Sequence, residues 1–175
     1  MRNYLVVIDM QNDFVTGVLG TPEARAIVPK IQKYVEQFDG TIYFTKDEHG
    51  DNYLETQEGK NLPVPHCIAG SDGSEIVPEL KKYASRPIKK NGFICERLAF
   101  SVGYTSYDEE VNVYFCGVCT DICVISNALD VKGIFPEVRV FVCKDLCAGT
   151  TSENHENALK AMECCHIKII ESGVK

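Results

Sequence analysis

The chain has no tryptophan, only three methionines, no basic excess and no long apolar run. Its 18 lysines and arginines face 25 aspartates and glutamates, a formal charge of −7, and form no basic stripe. Nucleic acid is therefore excluded as an expected partner. No apolar segment approaches the ~20 residues that cross a bilayer, so no membrane span is expected. The first residues enter a strand-like segment without a signal-peptide pattern. What remains is an acidic protein whose expected partner is a small molecule.

A disulfide framework is also missing. Nine cysteines, Cys67, Cys95, Cys116, Cys119, Cys123, Cys143, Cys147, Cys164 and Cys165, are scattered through ordinary apolar segments in odd number. That pattern is unlike a small secreted scaffold and predicts a reducing, cytoplasmic setting. Cys116-Gly-Val-Cys119 has the C-x-x-C form but lacks a second pair at zinc-finger spacing. A chain of 175 residues is long enough for one core and short for two, so residues 1–175 are expected to form a single domain.

Along the chain, apolar runs alternate with helical patterns. Tyr4 to Ile8 is almost wholly apolar and reads as a strand buried on both faces, ending at Asp9. Ile27, Ile31, Val35 and Phe38 recur at helical spacing, which predicts a helix over 26–38. Thr41 to Thr45 reads as the second strand. A long polar connection rich in Gly and Pro follows to Ser74, then a short helix over 76–83 and a strand over 86–90. A short helix is expected between Cys95 and Ala99.

Val111 to Phe115 is a further strand, broken at Gly117. Thr120 and Asp121 supply helix-starting side chains, with Ile122, Ile125 and Leu129 at helical spacing and Gly133 closing the helix. A strand over 138–142, a helix from Thr151 through Cys164 and a strand over 167–170 complete the chain. With no internal repeat, this alternation predicts a three-layer α/β/α sandwich around a doubly wound, mostly parallel six-stranded sheet.

In such a sheet, sites form beyond the carboxyl ends of the strands, where strand order reverses. The usual order puts Asp9 beside the turn carrying Cys123. Lys90 opens onto the same edge, and alternation along the strand separates it from Lys89. With Thr120 as N-cap, Cys123 would lie in the first helical turn, where free N–H groups and the helix dipole favour a thiolate.

Several motifs resemble those of the isochorismatase-like cysteine hydrolases. They are Asp9-Met10-Gln11-Asn12-Asp13-Phe14, Lys90 after the third strand, and Gly117-Val-Cys-Thr-Asp-Ile-Cys123-Val followed by Ala128-Leu-Asp. The resemblance spans most of the chain and implies a catalytic triad of Asp9, Lys90 and Cys123. It further implies a cis Val118–Cys119 peptide and an oxyanion hole at Cys119 and Cys123. His155 matches a recurrent family position with a structural role. Oligomers are common in the family, so a homo-oligomer is compatible with the resemblance.

Asp47-x-His49 and His66-Cys67 resemble the metal site of the nicotinamidase branch. That implies a divalent metal, zinc first and iron or manganese as alternatives, held by Asp47, His49, His66 and a further ligand. Between the two histidines the chain offers Glu55 or Glu58 for that fourth position, and the resemblance of Tyr53-Leu54-x-Thr56-x-Glu58-Gly59 through His66-Cys67 to one branch of nicotinamidase-related hydrolases implies Glu58. Leu62 stands where a tryptophan often precedes the proline, and Asn91-Gly92-Phe93 follows Lys90 in place of a longer spacer. Phe14, Leu62 and Phe93 are the expected pocket wall.

The implied activity is metal-dependent hydrolysis of nicotinamide, or a closely related small amide, through a thioester. A second reading keeps the triad but changes the substrate to another small amide, a ureido acid or isochorismate. A third, from a different class, is a domain that only binds a small ligand. An intact Asp, Lys and Cys set argues against it.

Overall fold

A computed structural model describes residues 1–174, apart from the side chains of Thr105 and Tyr107. Six strands, β1 (Arg2–Ile8), β2 (Thr41–Asp47), β3 (Ile88–Lys90), β4 (Val111–Val118), β5 (Arg139–Ala148) and β6 (Lys168–Ile170), make one sheet. Their order is β3-β2-β1-β4-β5-β6 and every neighbouring pair is parallel. The longer helices are α1 (Pro22–Gln37), α2 (Glu96–Gly103), α3 (Ile125–Ile134) and α4 (Ser152–Cys164).

From β1 the chain winds toward β2 and β3; from β4 it winds the other way. Right-handed crossovers in opposite directions put the two sets of helices on opposite faces, and strand order reverses between β1 and β4. α1 packs across β4 and β5, whereas α2, α3 and α4 pack side by side. The doubly wound sandwich expected from the sequence is the one observed.

Burial explains why β1 sits at the centre. Tyr4 to Ile8 are all buried, as a strand covered on both faces requires. α1 starts a turn before its apolar periodicity, because Thr21 accepts a hydrogen bond from Ala24 N at 3.0 Å and Pro22 takes the first helical position. Its Ile27, Ile31 and Val35 then enter the core. No helix among the described residues is long and apolar enough to cross a membrane.

Several boundaries depart from expectation. β4 is not broken at Gly117 but runs through it to Val118, and Gly117 adopts φ +114°. β5 is twice as long as the 138–142 pattern and includes Lys144 and Asp145, because it carries on past the apolar run beside β4. The long connection contains short helical turns at Tyr53–Glu55, Gln57–Asn61 and Asp72–Ser74, all too short to have a periodicity. The 76–83 helix shrinks to Pro78–Lys81, and the helix expected near Cys95 runs to Gly103. Gly133 lies inside α3, which continues to Ile134.

The turn after β4 differs most. Cys119, not Thr120, occupies the cap position, and no side chain caps it. Thr120 to Val124 form a single wide, π-type turn leading into α3, with Val124 N bonded to Cys119 O at 3.1 Å. Thr120 Oγ1 turns instead to His155 Nδ1, 2.8 Å away, which ties the turn to α4. Thr151 does cap α4, accepting from Asn154 N.

Gly117 lets β4 approach the end of β1. A Cβ there would lie 2.1 Å from Ile8 O, in a backbone conformation that side chains avoid. Gly117→Ala is therefore expected to cost about 3 kcal/mol in urea unfolding. Unchanged stability would contradict this close approach.

Candidate active site

Four neighbouring strand ends converge at the carboxyl edge. Asp47 and Lys90 are register partners at the ends of β2 and β3, and Ile8, just before Asp9, pairs with Gly117 of β4. The sheet thus brings together side chains more than a hundred residues apart. Lys90 Nζ lies 2.7 Å from Asp9 Oδ2, 3.5 Å from Cys123 Sγ and 3.4 Å from Asp47 Oδ1. Asp9, Lys90 and Cys123 are 0, 7 and 8% exposed, so these charges meet almost without water. Lys89, pointing the other way, is exposed and pairs with Glu48.

Burial pushes the Asp9 carboxyl up, against the pull of Lys90, which makes it a stronger proton acceptor. Burial works to lower Lys90, but Asp9, Cys123 and Asp47 more than reverse it and hold the ammonium charged. The Cys123 thiol is pushed up by burial and then by Asp9, with only Lys90 opposing. This corrects the expectation of a thiolate favoured by a capped helix start. The uncapped turn is buried beside a carboxylate, so the resting sulfur keeps its proton with a base next to it. Cys119 is likewise pushed up to about 12, chiefly by burial. The Val118–Cys119 peptide is cis.

Behind Lys90 lies a second group. Asp47, His49 and His66 are buried, and their ligand atoms all fall within 4.8 Å of one another. Asp47 Oδ2 is 2.8 Å from His49 Nε2 and 3.7 Å from His66 Nε2, while Glu58 Oε1 is 3.7 Å from both imidazoles. Glu58, from the Gln57–Asn61 turn, is thus the acid that converges on this group. His66 Nδ1 lies 2.8 Å from Val64 O, which can only accept, so Nδ1 donates there and the ring is oriented with Nε2 toward Asp47 and Glu58. His49 Nε2 is buried, with Asp47 Oδ2 2.8 Å away as its near neighbour. The clustered ligand atoms of Asp47, His49 and His66 fit a divalent metal, and Glu58 is near enough to both imidazoles to add a second carboxylate. Burial opposes the charge on Asp47, but His49 and Lys90 outweigh it and hold the carboxyl below its ordinary range.

Both groups border one cavity of about 700 Å³. Cys123, Lys90, Asp47, Glu58 and His66 line its inner part, and the expected wall residues Phe14, Leu62 and Phe93 line it too. Asp9 and His49 stand behind these as support. Phe14 packs against the His66 ring at 5.4 Å.

Sequence reasoning missed the residues that hold this geometry. Thr45 Oγ1 donates to Asp9 Oδ1 at 2.6 Å and accepts from Asp9 N. The Gln11 amide accepts from Asp47 N and donates to Asp47 O, both at 2.7 Å, and also donates to Ser74 O. Asp13 accepts from Cys67 N and so fixes the loop carrying His66. Buried Tyr53 packs on both imidazoles and donates to Leu62 O. Asn127 donates to Cys123 O and Phe93 O and accepts from Cys95 N. Gln11 and Asp13 had a signal as members of the Asp9–Phe14 motif, and Asn127 as an amide one helical turn after Cys123; Thr45 and Tyr53 had none.

This is an α/β fold with Asp, Lys and Cys meeting at the switch point beside a buried group of Asp47, His49 and His66, with the half-buried Glu58 at its edge. The profile of the Isochorismatase domain matches residues 3–172, and the chain belongs to that family. It is 30% identical to the nicotinamidase of Acinetobacter baylyi over 80% of either chain. It is 26% identical to the nicotinamidase/pyrazinamidase of Mycobacterium tuberculosis, over 97% of this chain and 98% of that one. The crystal structure of the Pyrococcus horikoshii pyrazinamidase in complex with zinc superposes with a TM-score of 0.80. It is 29% identical, with 98% of this chain and 99% of that chain covered.

Gln11→Leu would strand Asp47 N–H, Asp47 C=O and Ser74 C=O. A loss of about 3 kcal/mol is expected in urea unfolding, against less than ~1 kcal/mol for Asn12→Ala, whose bond to Asp72 O is exposed. Equal losses would show that Gln11 is not what pins Asp47.

Proposed function

We propose that this protein is a nicotinamidase-like amidohydrolase that converts nicotinamide, or a closely related small heteroaromatic amide, to the acid and ammonia. The observation that carries this reading is the shared cavity: a lysine-flanked cysteine and an imidazole-carboxylate group border the same space. A substrate there would have its carboxamide at Cys123 and its ring toward His66 and Glu58.

In this reading Asp9 takes the Cys123 proton as Sγ attacks the carboxamide carbon. Lys90, 3.5 Å from the sulfur, offsets the negative charge that forms. The backbone N–H groups of Cys119 and Cys123 are assigned to the developing oxyanion. As the tetrahedral adduct collapses, Asp9 returns the proton to nitrogen, the C–N bond breaks and ammonia leaves. Water, deprotonated by Asp9, then attacks the thioester carbon; the C–S bond breaks, releasing the acid and restoring the thiol. Asp47, His49, Glu58 and His66 would hold a divalent ion, zinc by donor chemistry with iron or manganese as alternatives, which supplies a Lewis-acid anchor for a ring nitrogen.

Charge at the cavity argues against the alternatives. Isochorismate and ureido acids carry carboxylates that need a cationic partner besides the ion at Asp47, His49, Glu58 and His66, which in this reading anchors a ring nitrogen. Among the described residues lining the cavity, Lys90 is the only lysine or arginine, and it already faces Asp9 and Asp47. The contact of all three triad side chains likewise favours an enzyme over a ligand-binding domain.

Cys123→Ala should lower ammonia release from nicotinamide at least 10³-fold, with an unchanged circular dichroism spectrum. Substantial residual turnover would reject the nucleophile. Chelation should likewise abolish activity, and added zinc restore it, with metal content followed by elemental analysis; full activity in metal-free protein would reject the Asp47, His49, Glu58 and His66 site.

A further inference from the structure

The cavity has more wall than the two groups of reactive side chains account for. Its 700 Å³ lies within the ~300–1,000 Å³ range of sites that enclose drug-sized ligands, whereas nicotinamide has about nine non-hydrogen atoms.

The excess space has a definite chemistry. The titratable side chains that line the cavity, Cys123, Lys90, Asp47, Glu58, His66 and Cys119, all belong to the two groups described above or adjoin the Cys123 turn. The remaining wall is uncharged: Leu19, Leu62, Phe93 and Ile122 are apolar, and Thr21 and Asn61 bring polar groups. Leu62 and Phe93 line the cavity yet remain 38 and 50% exposed, so a ligand reaching them would cover apolar surface that is now in water. Both are held in place: Tyr53 bonds Leu62 O, and Asn127 bonds Phe93 O.

Resting on the amidase reading, we infer that the preferred substrate class is heteroaromatic carboxamides bearing a further neutral, apolar ring or substituent that extends between Leu62 and Phe93. The carboxamide keeps its place at Cys123, and the reaction is unchanged: amide and water give acid and ammonia. A phosphorylated or carboxylated extension does not fit, because the outer wall has no cation to meet it. One added carbon in an apolar pocket changes binding by about tenfold or more, so a fused ring gives a measurable preference.

The test compares quinoline-3-carboxamide, a benzo-fused nicotinamide, with nicotinamide by ammonia release from the metal-loaded enzyme, and the two product acids by titration calorimetry. The inference predicts a KM at least tenfold lower for the bicyclic amide and tenfold tighter binding of quinoline-3-carboxylate than of nicotinate. Leu62→Trp, which fills the outer wall, should lower the bicyclic-to-nicotinamide ratio of kcat/KM at least tenfold. Nicotinamide turnover with a hundredfold lower kcat/KM on the bicyclic amide would overturn the inference and leave the amidase reading standing. If neither amide releases ammonia, the amidase reading fails. Calorimetry then decides the inference: tighter binding of the bicyclic acid supports it, and equal or weaker binding overturns it.

Discussion

A single buried ammonium holds this site together. Lys90 sits between Asp9 at 2.7 Å and Asp47 at 3.4 Å, and removing it would leave two carboxylates facing each other out of water. Lys90 opposes the burial that pushes the Asp9 carboxyl up, and Asp47 can turn its other oxygen toward two imidazoles. The two chemical groups are therefore not independent. Asp47 faces Lys90 through Oδ1 and the histidines through Oδ2, so whatever charge collects at the histidines is felt at the cysteine.

Such a cluster needs a frame that does not yield, and the segment after β1 supplies much of it. Asp9 stands at φ +48° with its carboxylate fixed by Thr45. Gln11 grips the backbone of Asp47, Asp13 grips the loop of His66, and Phe14 packs against the His66 ring. Six consecutive residues thus hold a proton acceptor in place, the end of a neighbouring strand and one wall of the cavity. The central position of β1 makes this possible, since its exit faces β2 on one side and β4 on the other.

The architecture was legible because it rests on periodicity and strand order. A wholly apolar Tyr4–Ile8 and the strand-helix alternation lead to the sheet, and the sheet brings Asp9, Lys90 and Cys123 to one edge. Alternation separated Lys90 from Lys89 because the strand has one face toward Asp9 and one toward solvent. Glu58, the acid that the resemblance implies for the fourth ligand position, lies 3.7 Å from both imidazoles. What was not legible depends on contacts between distant segments. Thr45 and Tyr53 look like an ordinary strand residue and a loop aromatic until the chain folds over them. Thr120 looked like a helix cap, but its hydroxyl is taken by His155 from a helix thirty-five residues away. The protonation of Cys123 was misjudged for the same reason: local sequence reports the turn, whereas burial beside Asp9 comes from the fold.

The account's central claim is that Cys123, served by Asp9 and Lys90, carries the acyl group during turnover. Acid quenching of the enzyme mixed with nicotinamide, followed by peptide mapping in a mass spectrometer, tests it most directly. The account predicts a nicotinoyl adduct on the peptide containing Cys123 and on no other. An acyl group mapped to a different residue would contradict it.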